Sequence, residues 1–214
     1  MNFLKYIRIE HLPKNLLIFL PLIISKQQIS QNMLIEIIIY FFIFCVVTVL
    51  IYFINDCSDL NIDKINKLKK VNKINKKIYK KENFYLSNFV LLIFLVYLNY
   101  IDFLKLSLLI YVIIFYLYNF ALKKIRFIDI FSLISFYICR IFYGAEILEI
   151  HLTNWFIVFF STLFALLSLH KRLIQIKVNK LMKGNKIISY TLDDVDKMHK
   201  LLKILTTINI FIFA

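Results

Sequence analysis

The sequence predicts an all-α fold: a polytopic bundle of transmembrane helices forming one integral-membrane domain over residues 1–214. Three observations carry this. The chain is 61% hydrophobic, against about half or less in ordinary soluble domains, and its mean hydropathy is +0.75. Its apolar residues fall in long runs rather than in short amphipathic stretches. Its basic residues alternate between the loops that separate those runs, as the positive-inside rule demands.

The runs number seven, and a bilayer core of about 30 Å needs roughly 20 helical residues per crossing. The first, residues 15–25, is short and interrupted by Pro21. The second, 33–54, is long enough to span unaided. Runs 83–100 and 103–121 are separated by a turn at Asp102. Run 127–148 carries Arg140 inside it, and run 153–169 opens near Trp155. The last, from residue 201 to Ala214, rises only about 16 Å over its apolar part, so it reads as truncated.

Charge then orients the runs. The segment up to Lys14 holds three basic residues, and the loop after the second run holds nine. The loop after the fourth run holds three more and the loop after the sixth another nine. Thus 24 of the 27 Lys and Arg lie on one side, while the other side has only Lys26 and Lys105. That side is expected to be cytoplasmic, with the N-terminus on it. The net charge of +14 is accounted for by this placement, so no nucleic-acid partner is expected. The segment from Lys177 to Lys203 is basic and amphipathic and is expected to lie on anionic lipid. Cys45, Cys57 and Cys139 have no metal-ligand spacing and read as buried thiols. His11, His151, His170 and His199 are equally scattered.

Chemistry concentrates where the second run ends, at Asn55-Asp56-Cys57-Ser58-Asp59-Leu60-Asn61-Ile62-Asp63. Spacings of three and four put Asp56, Asp59 and Asp63 on one face of a continuing helix, about 5–6 Å apart. Such neighbouring carboxylates repel by roughly 3 kcal/mol at an effective dielectric near 20. A row of hard oxygens suits Mg²⁺, which completes its shell with water and substrate phosphates. The bland alternative is a solvated helix end balancing the lysines behind it. Lys69 and Lys70 in that loop are candidate phosphate contacts. Arg140 is the second candidate, because a charge inside a membrane helix costs roughly 2.5–3.5 kcal/mol and needs a partner. It is expected either to clamp a phosphate or to pair structurally with Glu146 or Asp129. Asp129 itself stands at a helix start, either as a dipole-favoured anion or as a carboxylate facing the first cluster.

These stretches resemble the UbiA superfamily of membrane transferases. Asn55-Asp56-x-x-Asp59-x-x-x-Asp63, before a basic loop, is similar to that superfamily's first aspartate-rich motif. More narrowly the chain resembles decaprenyl-phosphate phosphoribosyltransferases. Arg8 with Lys14-Asn15 is similar to the pattern opening their first helix. Tyr118, Lys123 and Asp129 are similar to their Tyr-x-x-x-x-Lys followed by Asp. Arg140 with Gly144-Ala145 is similar to Arg-x-x-x-Gly-Ala, and Trp155 with Lys171-Arg172 to their sixth helix and its end. Ser189-Tyr190-Thr191 is similar to a Tyr-Thr before helix seven. Ile9, His11 and Leu12 depart from the opening pattern.

The resemblance implies a nine-helix bundle, of which about seven helices are present here, so the chain is expected to be incomplete at its C-terminus. It implies Mg²⁺ on Asp56, Asp59 and Asp63, with these and Asp129 as the catalytic carboxylates. It implies substrate contacts from Lys14, Asn15, Asn55, Lys69, Lys70, Tyr118, Lys123, Arg140, Lys171 and Arg172. The implied reaction moves 5-phosphoribose from phosphoribosyl diphosphate to a polyprenyl phosphate, for cell-envelope biosynthesis at a bacterial-type plasma membrane. A later second aspartate-rich motif is not visible, which favours that donor over the polyprenyl diphosphate of the superfamily's aromatic prenyltransferases. The remaining alternative is an inactive remnant, or a bundle conducting cations along the aspartates.

Overall fold

Long apolar runs that must satisfy their backbone hydrogen bonds away from water leave the backbone little choice but helix. The computed structural model describes residues 9–25, 30–59, 81–181, 190 and 192–213, and among them every regular element is helical. A 3₁₀ segment, Ile9–Phe19, runs into α1 (Leu20–Ile24). Then come α2 (Gln31–Ser58), α3 (Lys81–Tyr100), α4 (Leu106–Phe120), a 3₁₀ turn (Leu122–Lys124) and α5 (Ile128–Ile147). α6 (Asn154–Leu181) and α7 (Leu192–Phe213) complete the order. Each of the seven apolar runs coincides with helix. Among the described residues four stretches are long and apolar enough to cross a membrane: Gln31–Ser58, Lys81–Tyr100, Ile128–Ile147 and Asn154–Lys177.

The boundaries correct the sequence reading at its end. α7 starts at Leu192, ahead of the apolar run, and has 22 residues. The apolar run from residue 201 is therefore the second half of a longer helix, whose first turns carry Asp193, Asp194, Asp196 and Lys197. Periodicity was hidden there by charge. α6 likewise continues past Leu169, through Lys171 and Arg172, to Leu181. The basic segment Lys177–Lys203 is accordingly not one surface helix. Its ends belong to α6 and α7, and residues 182–189 lie outside the described residues.

Two compact units are present. The first comprises Met1–Phe115 and Cys139–His151. Its centre is α2, whose buried Ile37, Tyr40, Phe44, Val47, Ile51 and Ile54 alternate spacings of three and four, one continuous stripe. The side chain of Ser30 caps this helix by accepting from the Met33 N–H at 3.2 Å. α3 and the 3₁₀ segment pack on α2. Three residues per turn align Asn15 and Ile18 on one face of that segment, and both are buried, as is Pro21 in α1. Opposite Ile18 stands Gly144, where a Cβ would come within 1.9 Å of the Ile18 carbonyl oxygen. Only glycine permits this approach.

At its other end the unit is tied by Glu146. Its carboxylate accepts from the backbone N–H groups of Leu106 (2.8 Å) and Ser107 (2.9 Å) and from the Ser107 hydroxyl. An anion on the first N–H groups of a helix complements both the orphan donors and the dipole. Glu146→Ala is expected to cost about 1–2 kcal/mol. Thermal unfolding in detergent should register the loss, with faster exchange of the Leu106 and Ser107 amides.

The second unit comprises Tyr116–Ile138 and Leu152–Ala214. Here α6 and α7 pair antiparallel, and the Thr162 hydroxyl meets the Asn209 side-chain oxygen at 3.0 Å. Ile130, Leu169, Tyr190, Met198 and Leu202 form its core. Asp194, Met198 and Leu202, one turn apart each, give α7 its inner face.

Candidate functional site

The acidic stretch closes α2. Asp56 lies within the helix and is only 5% exposed. Asp59 is the C-cap, half-buried, with its N–H donated to the Asn55 carbonyl at 3.0 Å. The Ser58 hydroxyl donates to the same carbonyl at 2.9 Å. Asp56 and Asp59 are thus one turn apart, as the spacing predicts. Asp63, Lys69 and Lys70 lie outside the described residues. Among the described residues no three of His, Cys, Asp and Glu gather as a metal cluster. Two hard carboxylates one turn apart still fit the donor set of Mg²⁺, which takes one or two carboxylates and fills its shell with water and phosphate.

Arg140 occupies the interior of the same unit and is 2% exposed. Its Nε donates to Asn15 Oδ1 at 3.0 Å and its Nη2 to the Tyr111 hydroxyl at 2.9 Å. The guanidinium lies over the rings of Tyr111 and Phe44, 5.1 and 5.8 Å from their centroids. The other end of Asn15 donates to Thr48 Oγ1 at 3.0 Å and to Cys45 Sγ at 3.4 Å. A chain of polar groups therefore runs from α5 through the 3₁₀ segment to α2, with Arg140, Asn15 and Thr48 buried and Cys45 half-buried. Burying a guanidinium requires such partners. The structural pairing expected with Glu146 or Asp129 does not occur, since Glu146 caps α4 and Asp129 is bound elsewhere. Lys14, beside Asn15 in the chain, is half-buried. Gly144, one turn after Arg140, sets the spacing: the close approach to Ile18 brings Asn15 within reach of Arg140.

In the second unit Asp129 is fully buried at the start of α5. Its Oδ2 faces Arg172 Nε at 2.5 Å, and its Oδ1 accepts from the Tyr190 hydroxyl at 2.5 Å. The same hydroxyl accepts from the Phe127 N–H at 3.3 Å. Phe127 has φ of 62°, a left-handed conformation that costs a bulky residue roughly 1–3 kcal/mol. Tyr190 also packs edge-on to the Phe127 ring, with centroids 6.0 Å apart. Burial first, and the Asp129 carboxylate second, push the Tyr190 phenol above its ordinary pKa, so it keeps its proton and donates at neutral pH. Arg126 adds a rim pair with Asp194 at 3.2 Å. Asp129 is therefore a buried, doubly held anion rather than an open carboxylate, and Arg172 is its counterion. Neither residue alone revealed the other; the link is tertiary.

The remaining candidates are partly resolved by their contacts. Lys123 donates to Asn119 Oδ1 at 2.7 Å, one turn back. Tyr118 packs edge-on to Phe136 at 5.8 Å. Lys171 is exposed. Asn55 is half-buried beside Asp56. Tyr111 and Thr48 were not singled out, because a hydroxyl in an apolar run carries no periodic signal, and Tyr190 was noted only within its Ser-Tyr-Thr stretch, with no role in a site. Compared with models of known protein families and with curated proteins, the chain matches none.

Proposed function

We propose that this chain is a UbiA-type, Mg²⁺-dependent membrane transferase that moves 5-phosphoribose from phosphoribosyl diphosphate to a polyprenyl phosphate. Its acidic stretch faces the cytoplasm of a bacterial-type plasma membrane. The observation that supports the reading is the bond between Asn15 and Arg140. These residues belong to two of the stretches that carry the resemblance, stand 125 positions apart and meet at 3.0 Å. Gly144, fifth in the Arg-x-x-x-Gly-Ala stretch, is what makes the meeting possible.

In this reading Asp56, Asp59 and Asp63 hold Mg²⁺, which supplies positive charge to the donor diphosphate. Asn55 orients the diphosphate beside them. Arg140 is buried, so its part is positioning: it fixes Asn15 and with it the neighbouring Lys14, which contacts phosphate. Lys69, Lys70, Lys123 and Lys171 neutralise the remaining phosphate charge, and Tyr118 orients the donor. Asp129 holds Arg172 in place near them in sequence order rather than attacking anything. As the ribose C1–O bond breaks, its electron pair leaves with pyrophosphate. An oxygen of the lipid phosphate then forms the new bond to C1. Catalysis by such a site is positioning and charge stabilisation.

The test uses the full chain in proteoliposomes with phosphoribosyl diphosphate, labelled polyprenyl phosphate and Mg²⁺. The expected result is a lipid-linked phosphoribose whose formation falls by about 10²–10³ in Asp56→Asn, the range seen when a key charge-stabilising group is removed. Transfer from a polyprenyl diphosphate to an aromatic acceptor instead, or unchanged activity in Asp56→Asn, overturns the proposal.

A further inference from the structure

The first unit carries a second polar feature, far along α2 from Asp56. A groove of about 400 Å³ is lined by Asn32, Ile35, Glu36, Ile39, Tyr40 and Phe103. The α2 residues recur at helical spacing, so one face of its N-terminal turns forms one wall. Tyr40 and Phe103 stack at 5.2 Å and form the apolar floor. Lys105 lies over the Tyr40 ring, its Nζ 5.3 Å from the centroid.

Two charges of opposite sign thus flank one aromatic floor. Among the described residues Glu36 has no ion pair or hydrogen bond, and Lys105 has no carboxylate partner. They are not within salt-bridge distance of each other. Glu36 belongs to a helix long and apolar enough to cross a membrane. It stands directly before the apolar stretch that begins at Ile37, at the depth where lipid headgroups lie. A groove that is apolar along its length, anionic on one wall and cationic at its floor matches an amphiphile with a zwitterionic head.

We propose that this groove is a binding site for an aminophospholipid, phosphatidylethanolamine in headgroup chemistry. The Glu36 carboxylate accepts from the primary ammonium, with Asn32 one turn away at the same mouth. Lys105 faces the lipid phosphate. Ile35, Ile39 and Phe103 lie along the first acyl carbons. A primary ammonium offers three donors that a quaternary choline lacks, so the site distinguishes the two. Phosphatidylglycerol would place its phosphate on Lys105 as well, but it brings Glu36 neutral hydroxyls in place of an ammonium and so binds more weakly.

Native mass spectrometry of the full chain, released from nanodiscs of equal phosphatidylethanolamine, phosphatidylcholine and phosphatidylglycerol, tests this directly. The expected result is preferential retention of one phosphatidylethanolamine, several-fold over the other two. Glu36→Gln should abolish the preference over phosphatidylcholine, while Lys105→Gln should weaken retention of both. Glu36 is exposed, so both proteins should unfold at nearly the wild-type temperature. Equal retention of the three lipids, preference for phosphatidylglycerol, or a preference that survives Glu36→Gln overturns the proposal.

Discussion

Asp129→Ala should lower the stability of the second unit by about 3–5 kcal/mol, the loss seen when one member of a buried ion pair is removed. The magnitude follows from what is left behind. Arg172, whose side chain is 13% exposed, would keep a buried charge facing an empty space. The Tyr190 hydroxyl would lose the acceptor that orients it, and with it the second hold on the left-handed Phe127. Removing both charges is different: in Asp129→Leu/Arg172→Leu no uncompensated ion remains, and most of the loss should be recovered. A double-mutant cycle by thermal or denaturant unfolding in detergent measures the coupling. If Asp129→Ala unfolds like wild type, the ion pair contributes nothing to the hairpin. If the double variant is no better than Asp129→Ala, burial of the charge is not the cause.

Gly144→Ala should be the most damaging small substitution in the first unit. One added methyl would collide with a backbone oxygen, and no rotamer of any side chain can relieve that. Either α5 or the 3₁₀ segment must shift, and overpacking of this kind costs typically about 1–3 kcal/mol or more. The shift also lengthens the Arg140–Asn15 bond, so two consequences should appear together: a lower unfolding temperature and a loss of transferase activity. Arg140→Lys separates them. It keeps the charge and the glycine contact but cannot reproduce the Nε and Nη2 donation, so activity should fall more than stability. A Gly144→Ala protein with unaltered unfolding would mean the two backbones do not approach as closely as 1.9 Å from that Cβ implies.

Helix existence was legible in the sequence because apolar runs and lysine alternation are strong, independent signals. All seven runs became helices. Boundaries were less legible. At α7 the first turns are charged, and hydropathy discounts them, although Asp194 and Met198 sit on the buried face. The cationic and anionic site residues were also legible one by one: Asp56, Asp129, Arg140 and Arg172 all stand out as charges at or inside apolar runs. Their partnerships were not. Arg140 was expected either to clamp a phosphate or to pair with Glu146 or Asp129; among its contacts are an amide, a phenol and two ring faces, neutral groups with no signature in composition. Asp129 was read as a dipole-favoured anion at a helix start or as a carboxylate facing the first cluster, and neither reading foresaw Arg172 and Tyr190, both distant in sequence, closing over it.

The 3₁₀ segment at the start of the chain changes a length argument. Sixteen residues, from Ile9 through Ile24, would rise only about 24 Å as an α-helix, short of a hydrocarbon core of about 30 Å. The eleven residues in the tighter helix rise about 2.0 Å each, and the five of α1 about 1.5 Å each. The stretch therefore reaches about 30 Å, although Glu10, His11 and Lys14 belong to its first part. Its apolar part, Leu12–Ile24, rises about 23–24 Å in place of the roughly 20 Å of an α-helix, so the drawn-out helix narrows the shortfall against a bilayer core without closing it.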